Sequence, residues 1–381
     1  MGRLSRLGRL SPRRPRDRLR TAITLVVGLG LSVSLAACGK AAQVHEPDGG
    51  PHGGGLRIGL LLPDNEIARF DRFDKPLIKK KVKELCPRCR VEYASAQHDT
   101  ANQQHQVDAM IANGVEVLIL DPVDSKAARS SVVKAHRANI PVVAYDRLVE
   151  GPVSGYVSFD GAQVGRLQGE ALLRALGPDT RHKQIVMMNG SSTDPNAGWF
   201  ERGALSVLRG KVRIGKSYET VGWRPENANL NMSGAIAALG AHDIDGVLSA
   251  NDGLAAGVIA ALKAARIHPL PPVTGQDAEL GAVQRLLSGE QYMSVYKPFK
   301  PEADAAAAMA VALGHGKSLD GIAKERVGNS TTRAIPAVLL KPIALNARNI
   351  KSTLIKDGMY TIDQICTPKY MADCRKAGLI R

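Results

Sequence analysis

Residues 115–147 read VEVLILDPVDSKAARSSVVKAHRANIPVVAYDR. An apolar run at 115–120 ends in Asp121-Pro122. A stretch with helical spacing at 125–139 follows, and a second apolar run at 140–145 ends in Asp146-Arg147. Short, near-continuous apolar strands joined through a helix imply a parallel sheet covered on both faces. The unit recurs along the chain. Apolar runs at 56–62, 184–188, 246–250 and 272–275 alternate with amphipathic stretches at 162–176, 225–239 and 254–266. These are too many strands for one compact sheet in a chain of this length. The expected fold is therefore α/β, with two lobes, each a doubly wound parallel sheet, and a ligand cleft between them.

Polar residues stand where such a cleft needs them. Asp64, Asp121, Asp146-Arg147, Asp160, Asn189, Asn251-Asp252 and Gln276-Asp277 each close an apolar run just before the next helix. Ligands of open parallel sheets bind outside the carboxyl ends of the strands, so these groups should converge. Helix capping is the alternative for any single position, because Asp and Asn are preferred N-caps. Seven positions sharing the arrangement favour a polar site.

The amino-terminal region reads as an export signal. Arg3, Arg6, Arg9, Arg13, Arg14, Arg16, Arg18 and Arg20 precede an apolar stretch at 21–35 that is too short to span a bilayer. Leu35-Ala36-Ala37-Cys38 resembles a bacterial lipobox, which implies cleavage before Cys38 and lipidation of its sulfur. Residues 1–37 are expected to be the lipoprotein signal peptide, and 38–55, rich in Gly and Pro, a flexible tether. The mature protein is then exported and anchored by lipid to the outer face of the cytoplasmic membrane.

The formal net charge is +15, of which the leader carries eight Arg against one Asp, so the remaining 344 residues hold about +8. Apart from Lys79-Lys80-Lys81 in an amphipathic stretch, the basic residues are scattered, and no aromatics interleave with them. Nucleic-acid binding is not expected. Four cysteines remain once Cys38 is set aside. An exported compartment favours disulfides, and two local bridges are expected, although four cysteines allow three pairings. Cys86-Pro-Arg-Cys89 lies at the end of a lysine-rich helix, where a redox motif would open one.

Other motifs do not hold. Gly316-Lys317-Ser318 resembles a P-loop ending, but Val311 occupies the position of the required glycine. His98, His105 and His136 lack a paired spacing with a carboxylate, so no metal site and no cofactor are expected.

Six motifs stand in the order of one family: Ala144-Tyr145-Asp146-Arg147-Leu148, Asp194-Pro195-Asn196-Ala197, Gly222-Trp223-Arg224-Pro225-Glu226-Asn227-Ala228, Ala250-Asn251-Asp252-Gly253, Gly275-Gln276-Asp277-Ala278 and Val295-Tyr296-Lys297-Pro298. Over residues 56–358 the chain resembles the bacterial D-xylose-binding periplasmic proteins of ABC sugar importers. The resemblance implies the type I periplasmic-binding fold, two doubly wound lobes joined by a three-strand hinge. Crossings are expected near 154–160, near 294–297 and beyond the helix ending near Gly316. The first lobe would then comprise 56–157 plus 298–330, and the second 158–297 plus 331–381.

The resemblance also implies the ligand set. Arg69, Phe70, Asp146, Arg147, Asp194, Asn196, Trp223, Asn251, Asp277 and Lys297 would hold a monosaccharide, with Phe70 and Trp223 as stacking faces. Family members usually carry Trp where Phe70 stands, which reduces the stacking area here. They often carry Asn where Gly161 stands, so one hydrogen bond near the hinge is absent. The implied function is capture of an aldose, D-xylose foremost, by a monomeric, non-enzymatic lipoprotein. It would deliver the sugar to permease and ATPase subunits on separate chains. The alternatives are an exported glycosidase-like enzyme and a sugar receptor without transport.

Overall fold

The computed structural model describes residues 55–65, 67 and 69–381. The leader, the lipidation of Cys38 and nearly all of the tether lie outside them. From the first strand the chain runs β1 (Arg57–Leu62), a π-helical turn (Phe70–Asp74), α1 (Lys75–Leu85), β2 (Arg90–Ser95), α2 (Thr100–Ala112), β3 (Val117–Leu120), α3 (Arg129–Arg137), β4 (Val142–Tyr145) and β5 (Gly155–Phe159). A second run follows: α4 (Gly161–Leu176), β6 (Gln184–Asn189), α5 (Pro195–Leu208), β7 (Arg213–Glu219), α6 (Pro225–Leu239), β8 (Gly246–Ser249), α7 (Asp252–Ala264), α8 (Leu280–Ser288) and β9 (Ser294–Tyr296). The chain closes with α9 (Phe299–Gly314), β10 (Glu325–Val327), β11 (Ile335–Leu340), β12 (Ile343–Leu345) and the short helices α10 (Ile362–Ile365) and α11 (Met371–Lys376).

The first sheet has the order β10-β11-β5-β4-β3-β1-β2, and only the edge strand β10 is antiparallel. Its β2-β1-β3-β4-β5 portion reverses winding between β1 and β3, the switch point at which doubly wound sheets bind ligands. The second sheet, β7-β6-β8, is parallel. Bridges Val247–Val273 and Gln276–Val295 bring residue 273 and β9 alongside it, so the strand order of the first lobe repeats. The run at 272–275 makes these single bridges rather than a regular strand.

Burial explains the missing alternation. All four residues of β3, β4 and β8 and all six of β6 are buried. Each fully buried aliphatic side chain contributes about 1.5–3 kcal/mol, and helices cover both faces. Buried Ile58, Val82 and Ala306 share one apolar cluster, while Leu61, Val132 and Tyr156 share another. Helix α3 starts four residues later than periodicity suggests, because Asp124 accepts from the amides of Lys126 and Ala127 and holds a turn there.

The chain passes between the sheets after β5, after β9 and after β11. The third passage corrects the expected boundary at 330. Strand β11 pairs in parallel with β5 from Ala337–Tyr156 to Leu340–Phe159, so 335–340 belong to the first lobe. An apolar strand was needed to cover the otherwise open edge of β5, and Ile335–Leu340 supplies it.

Helices α4 and α5 pack backbone to backbone. A Cβ on Gly165 would lie 1.9 Å from the Phe200 carbonyl oxygen, so only glycine fits there. This contact fixes α5, whose first turn carries site residues. Gly161 has a similar cause: a Cβ there would stand 3.0 Å from Cβ of Trp199.

Both disulfides are local, Cys86–Cys89 and Cys366–Cys374. The second staples a terminal cluster in which Leu354, Tyr360 and Leu379 pack on Tyr296 and Leu345. Its partners are eight residues apart. Closing so short a loop is worth about 2–3 kcal/mol. The double substitution Cys366→Ser, Cys374→Ser is expected to lower stability by that amount in urea denaturation, and an unchanged midpoint would contradict it.

Candidate functional site

Every residue named from the sequence lies beyond the carboxyl end of a strand. Arg69 and Phe70 follow β1, and Asp146 and Arg147 follow β4. Asp194 and Asn196 open α5, and Trp223 lies between β7 and α6. Asn251 precedes α7, Asp277 follows the 272–275 run, and Lys297 follows β9. The structure brings all ten around one small, nearly closed cavity of about 30 Å³. Ile67, Phe200 and Gln276 complete its lining. A larger hollow of about 640 Å³ touches none of them. It lies by Leu270 and Met293, at the amino ends of strands, and the convergent charged groups make the smaller cavity the candidate site.

Capping and site-building are not exclusive here. The Asp194 carboxylate accepts from the Asn196 amide at 2.8 Å, and Asn251 Oδ1 accepts from Leu254 at 2.9 Å, yet both line the cavity. Asp160 caps α4, accepting from Gln163, pairs with Arg166 and does not line the cavity. Three lining residues adopt left-handed backbone: Asp146 at φ 53°, Trp223 at 57° and Asp277 at 90°. Each such non-glycine conformation costs of order 1 kcal/mol and persists only where neighbours hold it.

Arg69 anchors the first lobe. Its guanidinium donates to Asp74 at 2.8 Å, to Asp146 at 2.7 Å and to Glu302 at 2.9 Å. Tyr145 adds a hydroxyl donated to Asp74 at 2.5 Å. Lys297 bridges Asp146 at 3.3 Å and Asp277 at 3.1 Å. Arg147 sits 3.1 Å from Asp194 and 3.6 Å from Asp121, and donates to the Pro122 carbonyl. Burial works to raise the Asp146 pKa, but Arg69, Lys297 and Arg147 outweigh it and hold the carboxylate below its usual range. Burial likewise opposes the charge on Lys297, and Asp146 with Asp277 more than restores it.

Asp74, Glu302 and Asp121 form a layer behind the lining cations. All three are fully buried, and burial raises their pKa values despite Arg69 and Arg147. At the lining itself Arg69, Arg147 and Lys297 balance Asp146, Asp194 and Asp277.

Trp223 packs against bare backbone: a Cβ on Gly190 would come within 2.0 Å of its ring. Phe200 meets it edge-on with centroids 6.4 Å apart, and Phe70 is 2% exposed. The lobes touch across the cavity. Ser125 N–H donates to the Thr193 carbonyl at 3.0 Å, and Asn196 donates to Asp146 at 3.2 Å. Lys297 spans the space between Asp146 and Asp277.

Phe200 and Glu302 escaped the sequence reading, which placed Gln276 among the groups closing the strands but not in the ligand set. Phe200 stands one helical turn after Asn196, and Glu302 is an acid on the buried face of an alanine-rich helix, signals that point inward.

Beside the cavity, burial and the charges of Asp252 and Asp277 push the half-buried Glu279 from 4.5 up to about 8. A raised carboxyl pKa stabilises the fold below the unfolded value, and that contribution is lost as pH rises through the folded one. Stability should therefore fall between about pH 4.5 and 8, by an amount on the order of 3 kcal/mol after allowance for partial exposure. Glu279→Gln is expected to flatten this decline in denaturation series at several pH values. An identical slope in the variant would contradict it.

Residues 58–318 match the family model described as a periplasmic binding protein domain. The D-xylose-binding periplasmic protein of Escherichia coli K12 is 34% identical over 338 residues, covering 87% of this chain and 96% of the relative. The multiple sugar-binding periplasmic receptor ChvE of Rhizobium radiobacter is 33% identical over 329 residues, covering 81% and 92%. An ABC transporter solute-binding protein from Clostridium phytofermentans, solved with bound β-D-glucose, superposes with a TM-score of 0.76 at 29% identity, covering 81% and 99%.

Proposed function

The chain belongs to the periplasmic binding protein family that includes the D-xylose-binding periplasmic proteins, and from this we propose that it captures an aldose, D-xylose foremost, for an ABC importer. One observation carries the reading. The cavity is lined by three cations and three carboxylates beside aromatic rings, a set suited to an uncharged polyhydroxyl ligand. A sugar hydroxyl both donates and accepts, so carboxylates take its protons while guanidinium, ammonium and amide groups supply donors. Hydrogen bonds to charged groups contribute about 1.5–3 kcal/mol each. A few suffice for micromolar affinity, near about −8 kcal/mol.

Each lining carboxylate is already paired with a cation. Glycoside hydrolysis needs instead a pair of carboxyl groups with one kept as an acid, so the pairing supports binding without catalysis. The ligand shifts the lobes to the closed state by binding it more tightly than the open one. Permease and ATPase are separate chains in this reading. The protein works as a monomer, tethered outside the cell through Cys38.

The test joins thermal denaturation with analysis of the sugar. D-xylose is expected to raise the melting temperature and to be recovered unchanged. Release of free sugar from a xyloside or glucoside would replace this reading with the enzymatic one. No shift with any aldose would refute sugar capture.

A further inference from the structure

A second hollow, of about 290 Å³, adjoins the candidate sugar cavity. The two share Ile67, Trp223 and Asn251, so they border the same three side chains. His98 from the first lobe faces Arg224, Glu226 and Glu279 from the second across it. The side chains of Arg224 and Glu226 make no hydrogen bond or ion pair with any described residue. The Trp223 indole N–H, in a residue only 6% exposed, has no hydrogen-bond partner among the described residues. Glu279, pushed up to about 8, keeps a proton at neutral pH and can donate it in a hydrogen bond. Donors and acceptors therefore occur together beside an aromatic ring, and the opposite charges of Arg224 and Glu226 cancel.

We infer that this hollow is a second saccharide subsite: the protein takes a short glycoside whose terminal ring fills the cavity and whose next ring lies between His98 and Arg224. The inference rests on the sugar-binding reading and extends it from a monosaccharide to an oligosaccharide end. Arg224 and Glu226 are exposed and lie outside the cavity lining, so replacing both should leave the fold and the first ring's site intact.

Calorimetric titration of D-xylose, D-glucose and their β-1,4-linked disaccharides into the parent protein and the Arg224→Ala, Glu226→Ala double variant tests it. A disaccharide should bind the parent at least as tightly as its monosaccharide. The double variant should weaken the disaccharide tenfold or more and the monosaccharide less than twofold. Monosaccharide binding without any disaccharide binding would overturn the subsite and leave the sugar reading standing. So would disaccharide affinity unchanged in the double variant. Failure of every sugar to bind the folded parent would overturn the sugar reading itself, and the subsite with it.

Discussion

Arg69→Met is expected to lower folding stability by roughly 3–5 kcal/mol and to abolish sugar binding. The guanidinium is the shared partner of Asp74, Asp146 and Glu302, all within 2.9 Å and all buried. Removing it leaves several acids in a water-excluded interior. They must then take up protons or remain charged without compensation, and both options penalise the folded state. Glu302 provides a control, because burial already raises its pKa and its Oε1 has no partner among the described residues. Glu302→Gln alone should cost under about 1 kcal/mol, since a neutral amide of similar shape removes no needed charge. Added to Arg69→Met, it should restore part of the lost stability. Urea denaturation of the two single variants and the double variant measures this coupling. An Arg69→Met protein as stable as its parent would show that the network is not organised around this residue.

Trp223→Ala should weaken sugar binding at least tenfold, and its stability cost should be large as well. A ring held at a ligand's apolar face contributes as an interface anchor does, about 2 kcal/mol or more. The same ring packs on Gly190 and Phe200 within the second lobe's core, where removal of a large aromatic costs roughly 3–5 kcal/mol. Trp223→Phe separates the two effects, since it keeps an aromatic face and restores much of the packing. Titration well below each variant's melting temperature should rank the parent tightest, Phe next and Ala weakest. An alanine variant that titrates like the parent would remove Trp223 from the site.

How much of this was legible in the residues differs by level. Runs such as 115–120 and 140–145 announced buried parallel strands because both faces of each are covered, which leaves no polar alternation to mislead. The polar residues closing those runs pointed to the cavity they line, because a parallel sheet brings its carboxyl ends together. Strand β11 was assigned to the wrong lobe for a related reason. Nothing local in Ile335–Leu340 says which of two open sheet edges it will pair with, and only the register with β5 decides. The buried layer of Asp74, Asp121 and Glu302 was harder to read. Each is a single acid in an ordinary helix or turn, and its meaning appears only when Arg69 or Arg147 comes beside it. Gly161, read as the site of a missing hydrogen bond, also sits close against Trp199, where a Cβ would stand 3.0 Å from its Cβ.

The lining charges give the central claim its sharpest test. Three cations balanced by three carboxylates suit an uncharged sugar, whereas an added carboxylate or ammonium on the ligand would have no counter-charge of its own. Calorimetric titration of D-xylose, D-glucose, D-glucuronate and D-glucosamine into the purified protein measures this directly. One equivalent of a neutral aldose should bind at micromolar concentration or below, with the charged sugars at least tenfold weaker. Equal affinity for charged and neutral sugars, or no heat from any aldose with folded protein, would contradict a site built for one neutral carbohydrate between two lobes.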